Sequence, residues 1–289
     1  MRPDGLERLL ESLAGQNDAP DFDVVVVDND AEGSAAPVAA RFGARLRLEY
    51  QLEPERGLAA VRNRAVAAAT GEYLAFIDDD EWATPLWLAG LDRKARATGA
   101  DAVIGPVRVL FDDTVAAEVR TCGLFDIMPL DDGADVPWWF TRTSNAYVRR
   151  ASLPHHEGPF ARDFDLTGGE DVELFWRMLK AGARVVACAD AVVFEHRPLS
   201  RANRRWVLRR AARDGHNKAH LEWSDRSTSE LWTLGLCSAG GVLWETLAAA
   251  GRWPSSREDA LRHALLGAGE VGKLAYLAGV KINEYRRRP

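Results

Sequence analysis

Tyr73-Leu74-Ala75-Phe76-Ile77-Asp78-Asp79-Asp80-Glu81 is the stretch whose reading decides the fold. Five apolar residues run without a break into four carboxylates. A continuous apolar run of this length reads as a strand covered on both faces, the kind found in parallel sheets packed between helices. The acids then sit at its carboxyl end, where open α/β sheets bind their ligands. Three adjacent like charges repel one another and invite a divalent cation. Hard oxygen ligands suit Mg²⁺ or Mn²⁺, which commonly bridge a protein carboxylate to substrate phosphates. Taken alone, the same acids also suit a solvated turn ahead of the helix that starts near Pro85.

The segments on either side repeat the pattern. Leu6, Leu9, Leu10 and Leu13 fall at helical spacing, and Val24-Val25-Val26-Val27 is a β-branched run typical of a buried strand. A helix over 35–42, a strand over 46–50, a helix over 58–69, a helix over 85–98 and a strand over 102–110 follow. This βαβα alternation predicts a mostly parallel sheet with helices on both faces. Residues 111–168 are loop-rich, with a strand expected at 145–148. A helix over 170–181 is stopped by Gly182, short strands read at 184–187 and 191–194, and from Ser200 onward the pattern is helical. The expected division is a catalytic α/β domain over 1–220 and a helical appendage over 221–289.

Composition narrows the class. Of 289 residues, 47% are hydrophobic and 28% charged, so a packed core is expected. The net charge of -6 argues against nucleic acid as the main partner. Three cysteines, none in a CxxC, fit a reducing compartment and suggest no zinc site. The opening MRPDGLERLL lacks a signal peptide's apolar segment, so the reading is cytoplasmic. No GxGxxG follows the first strand, which sets dehydrogenases aside.

Other motifs fall at element ends. Val27-Asp28-Asn29-Asp30 ends a strand, so Asp28 and Asp30 share the sheet edge of Asp78–Asp80 and can accept from a base or ribose; an Asx-type turn is the simpler account. Arg56-Gly57 opens a helix that carries Arg62, a ready anion site or an ordinary basic surface. Gly168-Gly169-Glu170-Asp171 places two acids in the first turn of a helix, suited either to the helix dipole or to a general base. His196 follows a strand. Pro137-Trp138-Trp139-Phe140 offers faces for sugar stacking or for a core.

In this order, the segments "VVVDND", "ERGLAAVRNRAVAAATGEYLAFIDDDE", "TSNAYVRRASL" and "GGEDVELFWRMLKAG" resemble the family-2 glycosyltransferases of GT-A fold, especially enzymes of succinoglycan-type exopolysaccharide synthesis. The resemblance covers residues 1 to about 220. It implies an inverting, metal-dependent transfer from a nucleotide-diphosphate sugar, a UDP-sugar above all, to a saccharide or polyprenyl-diphosphate-linked saccharide hydroxyl. A nucleotidyltransferase and a non-catalytic sugar-nucleotide binding module are the alternatives. Asp28 and Asp30 would hold the nucleotide with Asp78 and Asp79, Asp79 near the ribose. Asp80 and His196 would bind Mg²⁺ or Mn²⁺. Asp171 would be the base, with Glu170 beside it. Arg56, Arg62 and Arg205 would face donor phosphates, and Trp138, Trp139 and Trp206 the acceptor. Arg205-Trp206 match the end of a QxxRW motif, but Ala202 replaces its glutamine, which sets this chain apart from processive members. The resemblance also implies an apolar strand ahead of the first helix, whereas this sequence opens at that helix. Finally, basic residues over 197–220 and at Arg286-Arg287-Arg288 flank the apolar, Trp-bearing segment 231–251. That pattern predicts peripheral attachment to the cytoplasmic face of the inner membrane, because Glu245 and the glycines argue against a span of about 20 apolar residues.

Overall fold

The computed structural model describes residues 3–125, 130–154, 158–165 and 167–283. Arg286-Arg287-Arg288 lie outside the described residues. In chain order the elements are α1 (Pro3–Ala14), β1 (Val24–Asp28), α2 (Ala36–Phe42), β2 (Leu48–Leu52), α3 (Leu58–Ala68), β3 (Tyr73–Phe76), β4 (Glu81–Ala83) and α4 (Trp87–Thr98). Then follow β5 (Ala102–Ile104), β6 (Val107–Phe111), α5 (Ala117–Arg120), β7 (Ala146–Arg149), α6 (Glu170–Lys180), β8 (Val185–Ala187) and β9 (Val193–Arg197). Three long helices end the chain: α7 (Arg204–Trp223), α8 (Thr228–Arg252) and α9 (Arg257–Leu277). Two compact units emerge. The first comprises Met1–Arg108, Ile127–Asp165 and Glu170–His196; the second comprises Val109–Asp126, Leu166–Gly169 and Arg197–Pro289.

In the first unit β1 and β2 pair in parallel, and β3-β7-β5-β8 form a separate four-stranded sheet. β5 runs parallel to β8, whereas β7 runs antiparallel to both β3 and β5. The expectation of a mostly parallel sheet gives way to a mixed arrangement, because β7 enters reversed from the loop-rich segment and pairs antiparallel on both sides. β4 pairs antiparallel with β9 in a third, small sheet that also includes β6. Helices cover both faces. Leu6, Leu9, Leu10 and Leu13 of α1 pack with Val38 and Phe42 of α2 and Trp87 and Leu91 of α4 against Val26, Val103 and Val186. On the other face, Ala59 of α3 and Leu174, Phe175 and Met178 of α6 pack against Leu74, Ile104 and Val148. Burying each such large side chain contributes roughly 2 kcal/mol.

The single strand expected over 102–110 is broken at Gly105-Pro106, because proline cannot donate to a ladder. Asn145 organises that break. Fully buried and in the left-handed region at φ 57, a conformation asparagine tolerates, it uses both ends of its amide. Its Nδ2 donates to Pro106 O at 2.8 Å and Ala191 O at 2.7 Å, and its Oδ1 accepts from Trp87 Nε1 at 2.7 Å. Three elements are thereby fixed at one point.

In the second unit α9 packs against both α7 and α8. The α7–α9 approach is close enough to need glycine. A Cβ at Gly215 would lie 2.0 Å from Gly269 O, and one at Gly272 would lie 1.8 Å from Ala212 O. Ser227 and Glu230 form a capping box at the start of α8, which satisfies donors that a helix N-terminus otherwise leaves unpaired.

Asn145→Ala leaves Trp87 Nε1 and Ala191 O without their partner, while Pro106 O keeps Val193 N. The expected loss is about 2 kcal/mol or more of unfolding free energy at 1–3 kcal/mol per stranded group, read from urea unfolding followed by tryptophan fluorescence.

Candidate active site

The acidic tip is shaped by a carboxylate that turns inward. After β3, Asp79-Asp80 make a turn and β4 begins at Glu81, whose Oε2 accepts from Asp78 N at 3.1 Å. Glu81 is buried, and the β4–β9 ladder sets buried Glu195 directly opposite it. Burial pushes the Glu81 carboxyl well above its usual range, and the charges of Asp78 and Glu195 push it the same way. Asp80 lies in the turn one residue before Glu81, and His196, exposed, is one residue beyond Glu195 on β9. The two residues expected to bind a cation thus flank the first pair of this ladder.

Arg62 joins this tip to the start of α6. Its guanidinium forms an ion pair with Glu170 and lies 3.5 Å from Asp78 Oδ1, with the Phe160 ring beneath it. Glu170 is 1% exposed, and its second carboxylate oxygen has no hydrogen-bond partner. Burial pushes its pKa up to about 7; Arg62 opposes the shift, and Asp171 and Asp78 reinforce it. Asp171, one residue on and only partly buried, accepts from Val172 N at 2.8 Å through Oδ1. The geometry therefore separates the two acids. Glu170 anchors α6 through Arg62, and Asp171 stands in the first turn nearer to solvent.

Several expected donor contacts have partners within the chain. Asp28 is 1% exposed; it accepts from Asp30 N at 2.9 Å, Ala35 N at 2.8 Å and the Tyr50 hydroxyl at 3.1 Å. The Asx-type turn is what the structure shows there. Asp30 is solvent-facing; its bond from the Ser34 hydroxyl at 2.6 Å, with a second from Glu32 N, lowers its pKa. The N-terminus of α3 is taken by Asp165, whose Oδ1 accepts from Ala59 N at 3.0 Å. Gly57 at φ 135 makes room for that carboxylate, since a Cβ there would meet it at 2.3 Å. The sequence offered no signal for Asp165, because its partner lies more than a hundred residues away. Arg56 is exposed just before this cap.

The aromatic cluster divides. Trp138 packs edge-on against Trp176 of α6 at 5.0 Å, whereas Trp139 is 58% exposed. Arg205 and Trp206 belong to the second unit. There the Trp206 ring stacks on Phe125 at 6.2 Å, with the Arg197 and Arg210 guanidinium groups close to its face. Arg205 is exposed in the first turn of α7.

A cation fits this edge as an open site. Asp80 and His196, each one residue beyond the Glu81–Glu195 pair, would offer one carboxylate and one imidazole. Among the described residues no three acidic, histidine or cysteine side chains converge into a closed cage. A divalent ion held there would leave positions for substrate oxygens, as is usual for phosphate-bridging ions.

The family model described as Glycosyl transferase family 2 matches residues 1–155. The succinoglycan biosynthesis protein ExoM of Rhizobium meliloti (strain 1021) is 30% identical over 99% of this chain and 93% of its own. A pre-mycofactocin glycosyltransferase of Mycobacterium tuberculosis is 32% identical over 72% of this chain and 43% of its own. Among solved structures, mannosyltransferase PcManGT from Pyrobaculum calidifontis, in complex with GDP-Man and Mn²⁺, superposes with a TM-score of 0.61 at 21% identity, covering 94% of this chain and 84% of that one. S. aureus TarS 1-349 in complex with UDP-GlcNAc gives a TM-score of 0.56 at 16% identity, over 95% and 88%. Both show the same fold.

The raised Glu170 pKa has a definite sign in stability. A carboxyl titrating near 4.5 when unfolded and about 7 when folded contributes stability that is present below pH 4.5 and lost as pH rises through 7. Glu170→Gln does not titrate. Its melting temperature should therefore gain steadily on that of the native chain between pH 4.5 and 7, checked by paired thermal melts across that range.

Proposed function

The chain belongs to glycosyl transferase family 2, and from the carboxylate edge it carries we propose a metal-dependent, inverting transfer of a sugar from a nucleoside-diphosphate donor to a saccharide hydroxyl. One observation supports this above the rest: the Arg62 guanidinium ties the first turn of α6, which bears Asp171, to Asp78 at the acidic tip. A proton acceptor and a phosphate-facing acidic edge are thereby held at one place.

In this reading the donor lies along the strand ends, with its ribose towards Asp79 and Asp30. Asp80 and His196 would hold the Mg²⁺ or Mn²⁺, which would supply charge neutralisation for the departing diphosphate. Asp171 takes the proton from the acceptor hydroxyl as its oxygen bonds to the anomeric carbon, and the bond from that carbon to the diphosphate oxygen breaks. One displacement inverts the anomeric configuration. The exposed Trp139 face offers stacking to an acceptor sugar, whereas Trp138, packed on Trp176, steadies it. A UDP-sugar donor and an exopolysaccharide-type acceptor are the choices that the likeness to the succinoglycan protein supports.

We also propose that the acceptor is met at a membrane surface. α8 is long and apolar enough to cross a bilayer by length and composition, and only 6% of its most apolar window is buried. Trp232 and Leu236 are each 72% exposed, and Leu243, Trp244 and Leu247 are exposed with them. The one charge between Leu231 and Gly251 is Glu245, which is half-buried and bonds His263 of α9 at 2.7 Å. An uncharged face bearing tryptophan suits the headgroup–acyl boundary, with the helix lying in the plane.

Asp171→Asn should lower kcat by at least 100-fold while donor KM changes less than threefold, and Asp80→Ala should abolish metal-stimulated release of nucleoside diphosphate. Turnover undiminished in excess chelator would sink the metal assignment, and an unreactive native chain that still binds donor would favour a binding module. For the surface, the chain should sediment with phosphatidylglycerol-containing vesicles, and the triple change Trp232→Ser, Leu243→Ser, Trp244→Ser should leave it in the supernatant.

A further inference from the structure

The two acids at the start of α6 follow directly on a loop that groups with the helices. Thr167, Gly168 and Gly169 belong to the second unit, and the chain enters the first unit at Glu170. Asp171 is therefore only two residues beyond a segment held by α7.

Within the second unit that hold is specific. Asn217 of α7 is buried, and its Nδ2 donates to Gly168 O at 2.7 Å. Arg213, one turn earlier on the same helix face, is buried with it and lies over the loop. A Cβ at Gly168 would sit 3.7 Å from Arg213 Nη1. The Arg213 charge is met by Asp214 at 3.1 Å.

The loop needs such an anchor. Gly168 and Gly169 have φ values of 70 and 100, in the left-handed region that favours glycine. Two glycines in succession form a joint with wide conformational freedom, and fixing it costs more entropy than fixing any other pair. The residue that follows the joint is the one whose placement matters most to the reaction. A general base must come within hydrogen-bond reach of the proton it takes, and a misplacement of about 1 Å can cost about 100-fold in rate.

α7 gives the anchor firm support. Asn217 directly follows Gly215 and His216, the turn that meets α9 at close range. Gly215 faces Gly269 O, Gly272 faces the backbone of Ala212 and His216, and the His216 ring meets Tyr276 edge-on at 5.7 Å. The amide that holds Gly168 thus stands on a stretch of helix with no room to shift against its neighbour.

We infer that Asn217 is a positioning residue for the transfer: through Gly168 and Gly169 it fixes the backbone from which Asp171 extends. The inference rests on Asp171 being the base.

Asn217→Ala removes the amide donor. Asn217→Asp removes it while keeping the side chain's shape, and carries the test if Asn217→Ala does not fold. In either variant the backbone amide order parameters of Gly169, Glu170 and Asp171 should fall from about 0.85 to below about 0.6, with the interior of α6 unchanged. Turnover is read as UDP release from UDP-glucose with Mn²⁺. kcat should fall at least about 10-fold, while donor KM changes less than about threefold. In the Asp171→Asn background the same change should cost less than about twofold, because residues that act as a unit are not additive. Order parameters that stay at native values overturn the inference alone. So does an undiminished loss of kcat in the Asp171→Asn background. Full turnover by Asp171→Asn itself overturns the base assignment and the inference together.

Discussion

A single guanidinium carries the arrangement of the acidic tip. Arg62 sits midway along α3's first turns and reaches two carboxylates on different elements, Glu170 at the start of α6 and Asp78 at the end of β3. Without it, Glu170 would be an ionisable group almost wholly removed from water with only like charges nearby, which proteins rarely sustain. Two further contacts hold α3 in place to do this. Asp165 caps its N-terminus, and the Asn63 side chain exchanges two hydrogen bonds of 2.9 Å with the backbone of Phe160. The Arg62 charge is therefore directed to internal carboxylates, and the tip beyond Asp78 keeps an acidic character.

How far the site could be read from the sequence follows the distance over which its contacts act. Asp78–Asp80 were legible because a buried strand and its acidic end lie within nine residues. Asp171 was legible as a first-turn acid for the same reason. The pairing of Glu81 with Glu195 was not, because it depends on the register of two short strands far apart in sequence. Asp28 was legible as an acid at a strand end, but the donors to its oxygens, Asp30, Ala35 and Tyr50, are brought together only by the folded turn. The reversed strand β7 was legible as a strand but not in its direction, since periodicity carries no sense of polarity.

The helical unit solves a different problem. α9 lies against α7 with glycines at the crossing and against α8 with one charge pair between them. Turning Glu245 towards His263 removes the only charge from the middle of α8's outer face. The packing of α8 on α9 and the uncharged character of the surface it presents are thus two results of the same pair.

The β4–β9 ladder also sets an order in time. Chains emerge from the ribosome N-terminus first, and domains fold as units as they emerge. β3 and the acidic tip are made early, but the strand that neutralises nothing and merely faces Glu81, namely β9, is among the last parts of the first unit to be synthesised. Until it arrives Glu81 has no Glu195 across from it, and β4 has no partner on that side. A nascent chain therefore carries every acid of the tip well before the ladder that shapes the turn after β3 can form.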